Sequence, residues 1–329
     1  MITELLSKVK KEAIRKRDLH LISKDAILDQ AEKNLTEMTS LLNDDLKTFN
    51  KLNGSVPNSI EGLKNYPIKD SDDLKAFIRE KKSNVFLNDA SSGWRITNSS
   101  GTSGSEQIVL PYDLRCQWNV TIQAGRPLTN NEFTENDCLL CLEAGKQQAG
   151  YIPMQNHITW VGPGNLASSI LSTSKEKIDT VKKQSVNWIA GTPKTITQFA
   201  NAYFRQEQKS LNAKKIMLCG APATEEQMNT IKKYLGTSFI NMYGIMEMGN
   251  ISWTCNAGQQ HVNIDFVNVN NRDGKTTYDS LSLFPIFNYH IGDKLEYEWN
   301  GKCDCGSYLP TVTKFSNKFN ITTYKDKTL

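Results

Sequence analysis

The sequence predicts an α/β protein in which helices cover a largely parallel sheet. Between residue 94 and about residue 252, short apolar runs that suit buried strands alternate with segments of helical periodicity. Two of these runs, 187–190 (NWIA) and 215–218 (KIML), are soon followed by Gly and Pro and then by helical segments, 195–206 and 225–235. Strand, turn and helix in repeated order are typical of a parallel sheet with helices on its faces.

The N-terminal part of the chain predicts helices. Residues 1 to about 90 are rich in Lys and Glu, and apolar residues recur at helical spacing from Leu19 to Leu46. Ser71 is a predicted N-cap, because acidic residues follow it in what would be the first turn of a helix. We expect residues 1–93 to form a helical region packed on the core.

The C-terminal part predicts a small β unit. From His261 onward, β-branched and aromatic residues dominate, and turns are predicted at Asn270-Asn271 and at Asp273-Gly274. We therefore expect an α/β nucleotide-binding core over 94–254 and a mainly antiparallel β subdomain over 255–329. The short run 138–142 (CLLCL) in the core reads as a further buried strand.

Composition narrows the class of protein. The 329 residues are 38% hydrophobic and 22% charged, which is ordinary for a soluble globular protein. The net charge of +4 is small and interspersed, so it gives no reason to expect nucleic acid as a partner. No run approaches the about 20 apolar residues of a membrane span, and the N-terminus lacks a secretory pattern, so we expect a cytoplasmic protein. The seven cysteines are an odd number, which favours reduced or metal-bound thiols over disulfides.

A Ser/Thr/Gly-rich segment, 96–106 (ITNSSGTSGSE), follows a predicted strand. Its glycines let the backbone approach a phosphate, and its hydroxyls and N–H groups can donate hydrogen bonds to it. The Gly-Lys-Ser/Thr ending of a Walker loop is missing. Composition alone leaves two interpretations, a phosphate loop and an ordinary flexible turn.

The letters SSGTSG resemble the phosphate loop of the adenylate-forming superfamily, which includes acyl-CoA ligases, nonribosomal adenylation domains and luciferases. That family continues with a small residue, Pro and Lys, where this chain has 105–107 (SEQ). The resemblance implies that the loop holds ATP phosphate and that Thr102 and Ser103 take part in catalysis. The implied phosphate-binding residues are Ser99, Ser100, Gly101, Thr102, Ser103 and Gly104.

Three further segments resemble family motifs in the right order. Gly191-Thr192-Pro193 resembles the strand end beside the acyl pocket, and 218–222 (LCGAP) resembles the segment that lies against adenine. The letters NMYGIME at 241–247 resemble Tyr-Gly-x-Thr-Glu, with Met246 in place of Thr. The resemblance implies that Tyr243 stacks on adenine and that Glu247 is catalytic and helps hold Mg²⁺. The implied nucleotide-binding residues of these segments are Gly220, Ala221, Pro222, Asn241, Met242, Tyr243 and Gly244.

The letters YHIGD at 289–293 resemble Tyr-Arg-Thr-Gly-Asp, whose Asp holds the ribose hydroxyls. The resemblance assigns that role to Asp293, and His290 stands where the family has Arg. Taken alone, without the motif, Tyr243 is better interpreted as a core aromatic and Glu247 as a helix-start carboxylate. We expect the acyl pocket to be lined by Trp160, Gly162, Gly164, Ile245 and Met246, although Trp160 and the glycines also suit ordinary core and loop.

Cys255, His261, Cys303 and Cys305 are three thiols and one imidazole, the number and type of a closed tetrahedral zinc site. Spacing alone leaves unrelated thiols and a surface histidine as an alternative. The segment 303–310 (CDCGSYLP) resembles Cys-Pro-Cys-Gly-Arg-x-x-Pro of phenylacetate-CoA-ligase-like and CapK-type proteins, some of which bind zinc with such a set. The resemblance implies a structural Zn²⁺. We expect the other cysteines, Cys116, Cys138, Cys141 and Cys219, to be buried apolar thiols.

The resemblance identifies the chain as the large N-terminal domain of an adenylate-forming enzyme, with layered α/β sheets and a small β unit. It implies ATP-dependent, AMP-forming activation of a carboxylic acid, followed by transfer to CoA, a carrier-protein thiol or an amine. One alternative is a non-catalytic nucleotide- or acyl-binding module, and another is acyl transfer through a cysteine of this chain. The family's small C-terminal domain does not follow residue 310, so we expect a stand-alone domain, a truncation, or a chain that borrows a separate subunit.

Overall fold

The structure is a computed structural model that describes residues 2–52, 56–81, 94–98, 108–113, 116–142, 160–167, 174–316 and 321–323. It divides into two compact units. The first comprises Met1–Gln123, Ile245–Ser252 and Ala257–Leu329, and the second comprises Ala124–Gly244 and Trp253–Asn256. Among the described helices, none is both long enough and apolar enough to cross a bilayer.

The helices and strands of the described residues follow in chain order. The α-helices are α1 Ile2–Asp18, α2 Lys24–Ser40, α3 Asp44–Phe49, α4 Ser71–Lys81, α5 Gln117–Thr129, α6 Ser174–Lys183, α7 Pro193–Glu207 and α8 Glu225–Tyr234, and short 3-10 helices occupy Leu19–Leu21 and Glu61–Asn65. The strands are β1 Lys69–Asp70, β2 Trp94–Asn98, β3 Val109–Asp113, β4 Cys138–Cys141, β5 Asn165–Ala167, β6 Trp188–Gly191, β7 Lys215–Leu218, β8 Phe239–Ile245, β9 Gly249–Thr254, β10 Gln260–Val262, β11 Val267–Arg272, β12 Lys275–Ser280, β13 Tyr289–His290, β14 Lys294–Glu298, β15 Thr311–Ser316 and β16 Ile321–Thr323.

The second unit is built on a parallel sheet of order β5-β4-β6-β7-β8. Helix α6 connects β5 to β6, α7 connects β6 to β7, and α8 connects β7 to β8. Each strand is a short apolar run, and each crossover is the helical segment that follows it. The predicted layered α/β architecture is therefore confirmed.

Alternate side chains of these strands pack on opposite faces of the sheet. On one face, Leu140, Ile189 and Ile216 pack with apolar residues of the crossover helices, including Ile196 and Phe199. On the other face, a smaller cluster joins neighbouring strands to the segment after α5; its buried members are Leu128, Phe133, Leu139, Trp188, Met217 and Ile240. Because both faces are covered, the strands read as continuous apolar runs.

Helix starts in the structure are capped by side chains. Thr192 caps α7 by accepting from the Thr195 N–H, with Pro193 in the first turn, and Thr224 forms a capping box with Gln227 at α8. The predicted N-cap Ser71 is instead the first helical residue of α4. Asp70 does the capping, because its Oδ1 accepts from the N–H groups of Asp72 and Asp73 at 2.9 and 3.1 Å.

The first unit contains a four-stranded sheet of order β1-β13-β12-β11. Strands β11 and β12 form an antiparallel hairpin closed by Asp273 and Gly274, both with positive φ (51° and 72°). That turn was predicted correctly, since such a turn requires left-handed backbone at both positions. The predicted turn at Asn270-Asn271 is wrong, because both residues lie within β11 and pair with β12. Strands β14, β15 and β16 are antiparallel, and β10 pairs with β15.

A buried polar cluster stabilises this sheet. The Asp279 carboxylate, fully buried, accepts hydrogen bonds from the Asn288 backbone N–H and from the side chains of Asn268 and Asn270 at 2.7 to 2.9 Å. Burial raises the pKa of Asp279 to about 6, although the nearby Lys69 ammonium acts to lower that pKa. Burial likewise lowers the pKa of Lys69 to about 8. The cluster therefore ties β11, β12 and β13 to β1.

Helix α2 packs within the first unit through one apolar stripe. In α2, Ile27, Ala31, Leu35 and Met38 are buried at the spacing of one helix face. Buried Asn34 donates to the Asp265 carbonyl at 2.7 Å and so joins α2 to the β-rich part of the same unit. The described residues 2–52 and 56–81 are mainly helical, with breaks between α2 and α3 and before the Glu61–Asn65 turn, while the predicted domain limit at residue 93 stays a prediction.

Candidate functional site

The carboxyl ends of β6, β7 and β8 bring three predicted segments to one edge of the parallel sheet. Gly191 pairs with Leu218, and Leu218 pairs with Asn241, so the segments that follow β6 and β7 begin at the level of Asn241, while β8 itself continues to Ile245. The Cys219 N–H donates to the Gly191 carbonyl at 3.1 Å and extends that pairing by one residue. In open α/β sheets, ligands bind at this edge.

The segment after β7 presents few side-chain atoms at this edge of the sheet. Gly220 adopts φ +78°, a backbone conformation that side chains disfavour, and a Cβ there would lie 3.2 Å from Cγ2 of Thr192. Gly220, Ala221 and Pro222 are all exposed. Small, exposed residues next to strand ends leave room for a flat ring, which is the shape of a nucleobase.

Strand β8 carries the next predicted segment. Asn241 and Gly244 are exposed, whereas Met242 and Tyr243 are half-buried. Met242 packs against the smaller apolar cluster, and the Asn241 carbonyl accepts from the Thr254 hydroxyl at 3.4 Å. A half-buried tyrosine beside small residues offers a ring face for stacking.

The predicted acyl-pocket residues of the second unit lie together in a tight turn before β5. The Trp160 indole N–H donates to the Gly164 carbonyl at 2.7 Å, and its ring lies edge-on to Phe133 at 6.0 Å between centroids. A Cβ on Gly162 would clash with the Trp160 ring, and one on Gly164 would clash with the carbonyl oxygens of Thr134 and Asp137. Both glycines are therefore needed for the turn itself.

Glu247 lies in the turn that follows β8, within the first unit. It is only 6% exposed, and its Oε1 accepts a hydrogen bond from the Tyr289 hydroxyl at 2.9 Å. Burial raises the pKa of the Glu247 carboxyl, and burial together with the adjacent Glu247 raises the pKa of Tyr289. A Mg²⁺ ligand must be ionised and open to a hydrated ion. The arrangement of Glu247 does not fit that role.

Asp293, the predicted ribose ligand, lies in the first unit in the short loop between β13 and β14 and is half-buried. His290, which stands at the family's arginine position, directs Nδ1 to the Thr276 carbonyl at 2.9 Å. His290 is thereby tied to the sheet. The predicted phosphate loop, from Ser99 to Gly104, lies outside the described residues.

The predicted zinc ligands lie close together. The ligand atoms of Cys255, His261, Cys303 and Cys305 are all within 4.8 Å of one another. His261 is fully buried, with Nε2 at 3.3 Å from Sγ of Cys305 and Nδ1 at 3.1 Å from the Leu309 carbonyl. Although burial opposes it, the hydrogen bonds to the Cys303 and Cys305 thiols raise the pKa of His261 to about 9.

This donor set fits zinc. Three sulfurs and one imidazole nitrogen are the ligands of structural zinc sites, and the carbonyl at Nδ1 holds the ring with Nε2 toward the thiols. Positive φ at Gly306 (88°) permits the Cys-x-Cys turn, in which the Gly306 N–H donates to the Cys303 carbonyl at 2.7 Å. Of the other thiols, Cys116 and Cys138 are buried as expected, but Cys141, the last residue of β4, and Cys219, which follows β7, are partly exposed, so the expectation of burial is wrong for these two.

Sequence reasoning singled out neither Tyr289 nor Thr192 as functional. Tyr289 opens the YHIGD segment and bonds Glu247, and Thr192 lies beside Gly220 at the sheet edge. Both belong to segments that the sequence did identify. Their partners come from other segments, and the pairing is visible only in the fold.

No family model and no curated protein matches the sequence. Solved structures do match the fold. An open conformation of 2-hydroxyisobutyryl-CoA ligase in complex with 2-HIB-AMP and CoA matches with a TM-score of 0.65 at 14% identity, over 93% of this chain and 80% of that one. The same ligase in its postadenylation state, in complex with 2-HIB-AMP, matches with a TM-score of 0.64 at 14% identity, over 91% of this chain and 70% of that one. At this identity the likeness shows the fold alone: the chain shares an α/β fold with this ligase, in agreement with the predicted fold class.

Proposed function

We propose that the chain activates a carboxylic acid with ATP and forms an acyl adenylate. The acid's carboxylate oxygen attacks the α-phosphorus of ATP, the bond to the β-phosphate oxygen breaks, and pyrophosphate leaves. The observation that carries the proposal is that the segments after β6 and β7 begin beside residues 241–244 of β8, at one edge of the sheet. Catalysis would consist mainly of positioning the two substrates and neutralising charge.

Each predicted segment has a proposed part in holding the nucleotide. Gly220, Ala221 and Pro222 would border the adenine, and Tyr243 would stack on it. Asp293 would accept hydrogen bonds from the ribose hydroxyls, and the segment from Ser99 to Gly104 would hold phosphate. The activated acyl group would pass to CoA, a carrier-protein thiol or an amine.

Acid-dependent exchange of radioactive pyrophosphate into ATP tests this function across a panel of carboxylic acids. We expect exchange with at least one acid and none without acid. Tyr243→Phe keeps an aromatic face and should leave the KM for ATP within about twofold, whereas Tyr243→Ala should raise it about tenfold, since one stacked base is worth roughly 1–3 kcal/mol.

The non-catalytic alternative gives a different result. A binding module would bind ATP, measured by calorimetry, and would show no exchange with any acid, which would refute the enzymatic proposal. Acyl transfer through a cysteine would instead leave a covalent thioester that hydroxylamine removes.

We also propose that Cys255, His261, Cys303 and Cys305 hold a structural zinc ion. Bound there, zinc would link the Cys-x-Cys turn to β10 and hold the C-terminal part of the chain in place. A closed set of four protein ligands leaves no open position for water, so the ion would supply stability rather than chemistry.

Metal analysis of the purified protein tests this proposal. We expect about one zinc per chain, as for four-ligand sites, and a lower unfolding temperature after chelation. Cys303→Ser should lose the zinc, while Cys141→Ser, which changes a partly exposed thiol outside the set, should keep it. Equal zinc content in both variants, or none in the original protein after expression with added zinc, would contradict the assignment.

A further inference from the structure

The turn that follows β8 is held by backbone and side-chain hydrogen bonds from distant parts of the first unit. The Met248 carbonyl accepts from the Ser282 hydroxyl at 2.9 Å and from the Gln123 side chain at 3.2 Å. The Glu247 carbonyl accepts from the Phe284 N–H at 3.3 Å. The turn is therefore fixed along one side by the segment that leads into β13.

The side chain of Glu247 adds a bond to that same segment. Its Oε1 accepts from the Tyr289 hydroxyl at 2.9 Å, and Tyr289 is fully buried between β12 and β1. Tyr289 thus has its hydroxyl satisfied by Glu247. A buried tyrosine needs such a partner, because an unsatisfied hydroxyl in the interior is costly.

The same burial argues against a cation at this carboxyl. Mg²⁺ demands octahedral oxygen coordination and usually keeps several of its waters. Glu247 is 6% exposed, and one of its two oxygens already holds Tyr289. An ion that bound Oε1 would have to displace that hydrogen bond.

We infer that Glu247 is a positioning residue, which holds the turn 245–248 by accepting from Tyr289, and that it is not the Mg²⁺ ligand which its place in the sequence implies. The turn carries Ile245 and Met246, which we propose line the acyl pocket. The expected effects on kinetics rest on the proposed function. The expected effects on stability rest only on the hydrogen bond and the burial of Glu247.

Glu247→Gln is the decisive variant, because the amide oxygen can still accept from Tyr289 while the ability to ligate Mg²⁺ as an anion is lost. We expect the Mg²⁺ concentration for half-maximal pyrophosphate exchange to stay within about twofold of that of the original protein, since no ion contact is removed. A rise of about tenfold or more, with an unchanged unfolding temperature, would show that Glu247 binds the metal and would overturn the inference.

Glu247→Ala and Tyr289→Phe test the positioning role. Both remove the hydrogen bond, and each should lower the unfolding temperature by about 2–4 °C, as expected for a domain of this size. Glu247→Ala should also raise the KM for the acid about tenfold with little change in the KM for ATP, and Glu247→Gln should restore it, as a rescue by the conservative variant.

The stability arm needs no enzymatic activity. If the original protein shows no exchange with any acid, the proposed function fails, and the unfolding temperatures alone decide the role of Glu247. Glu247→Gln close to the original protein and Glu247→Ala well below it would support the inference. Equal losses in both variants would overturn it.

Discussion

Asn288 combines a buried side chain with left-handed backbone, and replacing it by alanine separates two kinds of stabilisation. The residue is fully buried, with φ +51°. Its Nδ2 donates to the carbonyls of Leu63 and Tyr66 at 2.5 and 2.9 Å, which fastens the Glu61–Asn65 turn to the β-sheet. Asparagine suits both tasks, since it tolerates this conformation and provides two donors.

The loss of stability in Asn288→Ala depends on which hydrogen bonds each carbonyl still accepts. The Leu63 carbonyl also accepts from the Tyr66 N–H, and the Tyr66 carbonyl also accepts from Arg272, so neither becomes unsatisfied. The two hydrogen bonds lost to these carbonyls then cost about 2 kcal/mol. The buried Thr277 hydroxyl, which donates to Oδ1 of Asn288 at 3.4 Å, also loses its acceptor, at a cost of about 1 kcal/mol. Alanine in left-handed backbone costs about 1 kcal/mol more. Asn288→Ala should therefore lower the free energy of unfolding by about 4 kcal/mol.

Asp273→Ala is the matched control. Asp273 has the same φ of 51°, but it is exposed in the β11–β12 turn and its contact with Arg272 is a surface ion pair at 3.4 Å. Such a pair contributes little, so this variant should lose only the backbone preference, about 1 kcal/mol. Urea unfolding followed by tryptophan fluorescence compares the two. If Asn288→Ala is no more destabilising than Asp273→Ala, the hydrogen bonds to Leu63 and Tyr66 carry no stability.

Two further predictions concern the core and the buried lysine. Ile189→Ala, in a fully buried strand position, should cost about 2–5 kcal/mol of unfolding free energy, whereas Ile22→Ala, at a site 61% exposed, should cost less than about 0.5 kcal/mol; equal losses in urea unfolding would refute the packing argument. The folded pKa of Lys69 is about 8 against 10.5 unfolded, so the unfolded chain binds more protons between these values and stability should rise by about 3 kcal/mol as pH increases from 8 to 10.5. Lys69→Met should abolish that rise, and a rise that persists in the variant would show that another group causes it.

The parallel core was predictable because its signals are local. Strand β7 spans the predicted 215–218, and α7 and α8 begin and end within two residues of their predicted limits. The strands are short apolar runs, and α7 and α8 each begin after a capping threonine. Information of this kind lies within a few residues of the element that it specifies.

Features that depend on partners elsewhere in the chain were less predictable. Asn270 and Asn271 are typical turn residues, yet they lie in β11, since Asn270 bonds buried Asp279 and Asn271 bonds the Leu295 carbonyl. Ser71 and Asp70 are both good caps, and the parallel pairing of β1 with β13 places Asp70 in the capping position. Tertiary contacts overrode the local preference in both cases.

The candidate site likewise has some features that could be predicted from the sequence and others that could not. Motif order singled out the segments after β6 and β7 and residues 241–244 of β8, and the parallel pairing places these segments side by side. The cysteine and histidine set was proposed from residue types, and the structure brings its atoms within 4.8 Å. The hydrogen bond of Glu247 could not be predicted from the sequence, because its donor is the hydroxyl of Tyr289, 42 residues later in the chain.

The three segments at the sheet edge each begin a separate connection between strands. Those after β6 and β7 lead into α7 and α8, and the one at β8 leads into a turn. Strand pairing fixes where each connection starts, but not how long it is or which side chains it carries. Exchanging one of these connecting segments between related proteins should therefore alter the ligand that this edge of the sheet binds, while the register of the strands is kept. Ligand specificity could then be redesigned one segment at a time.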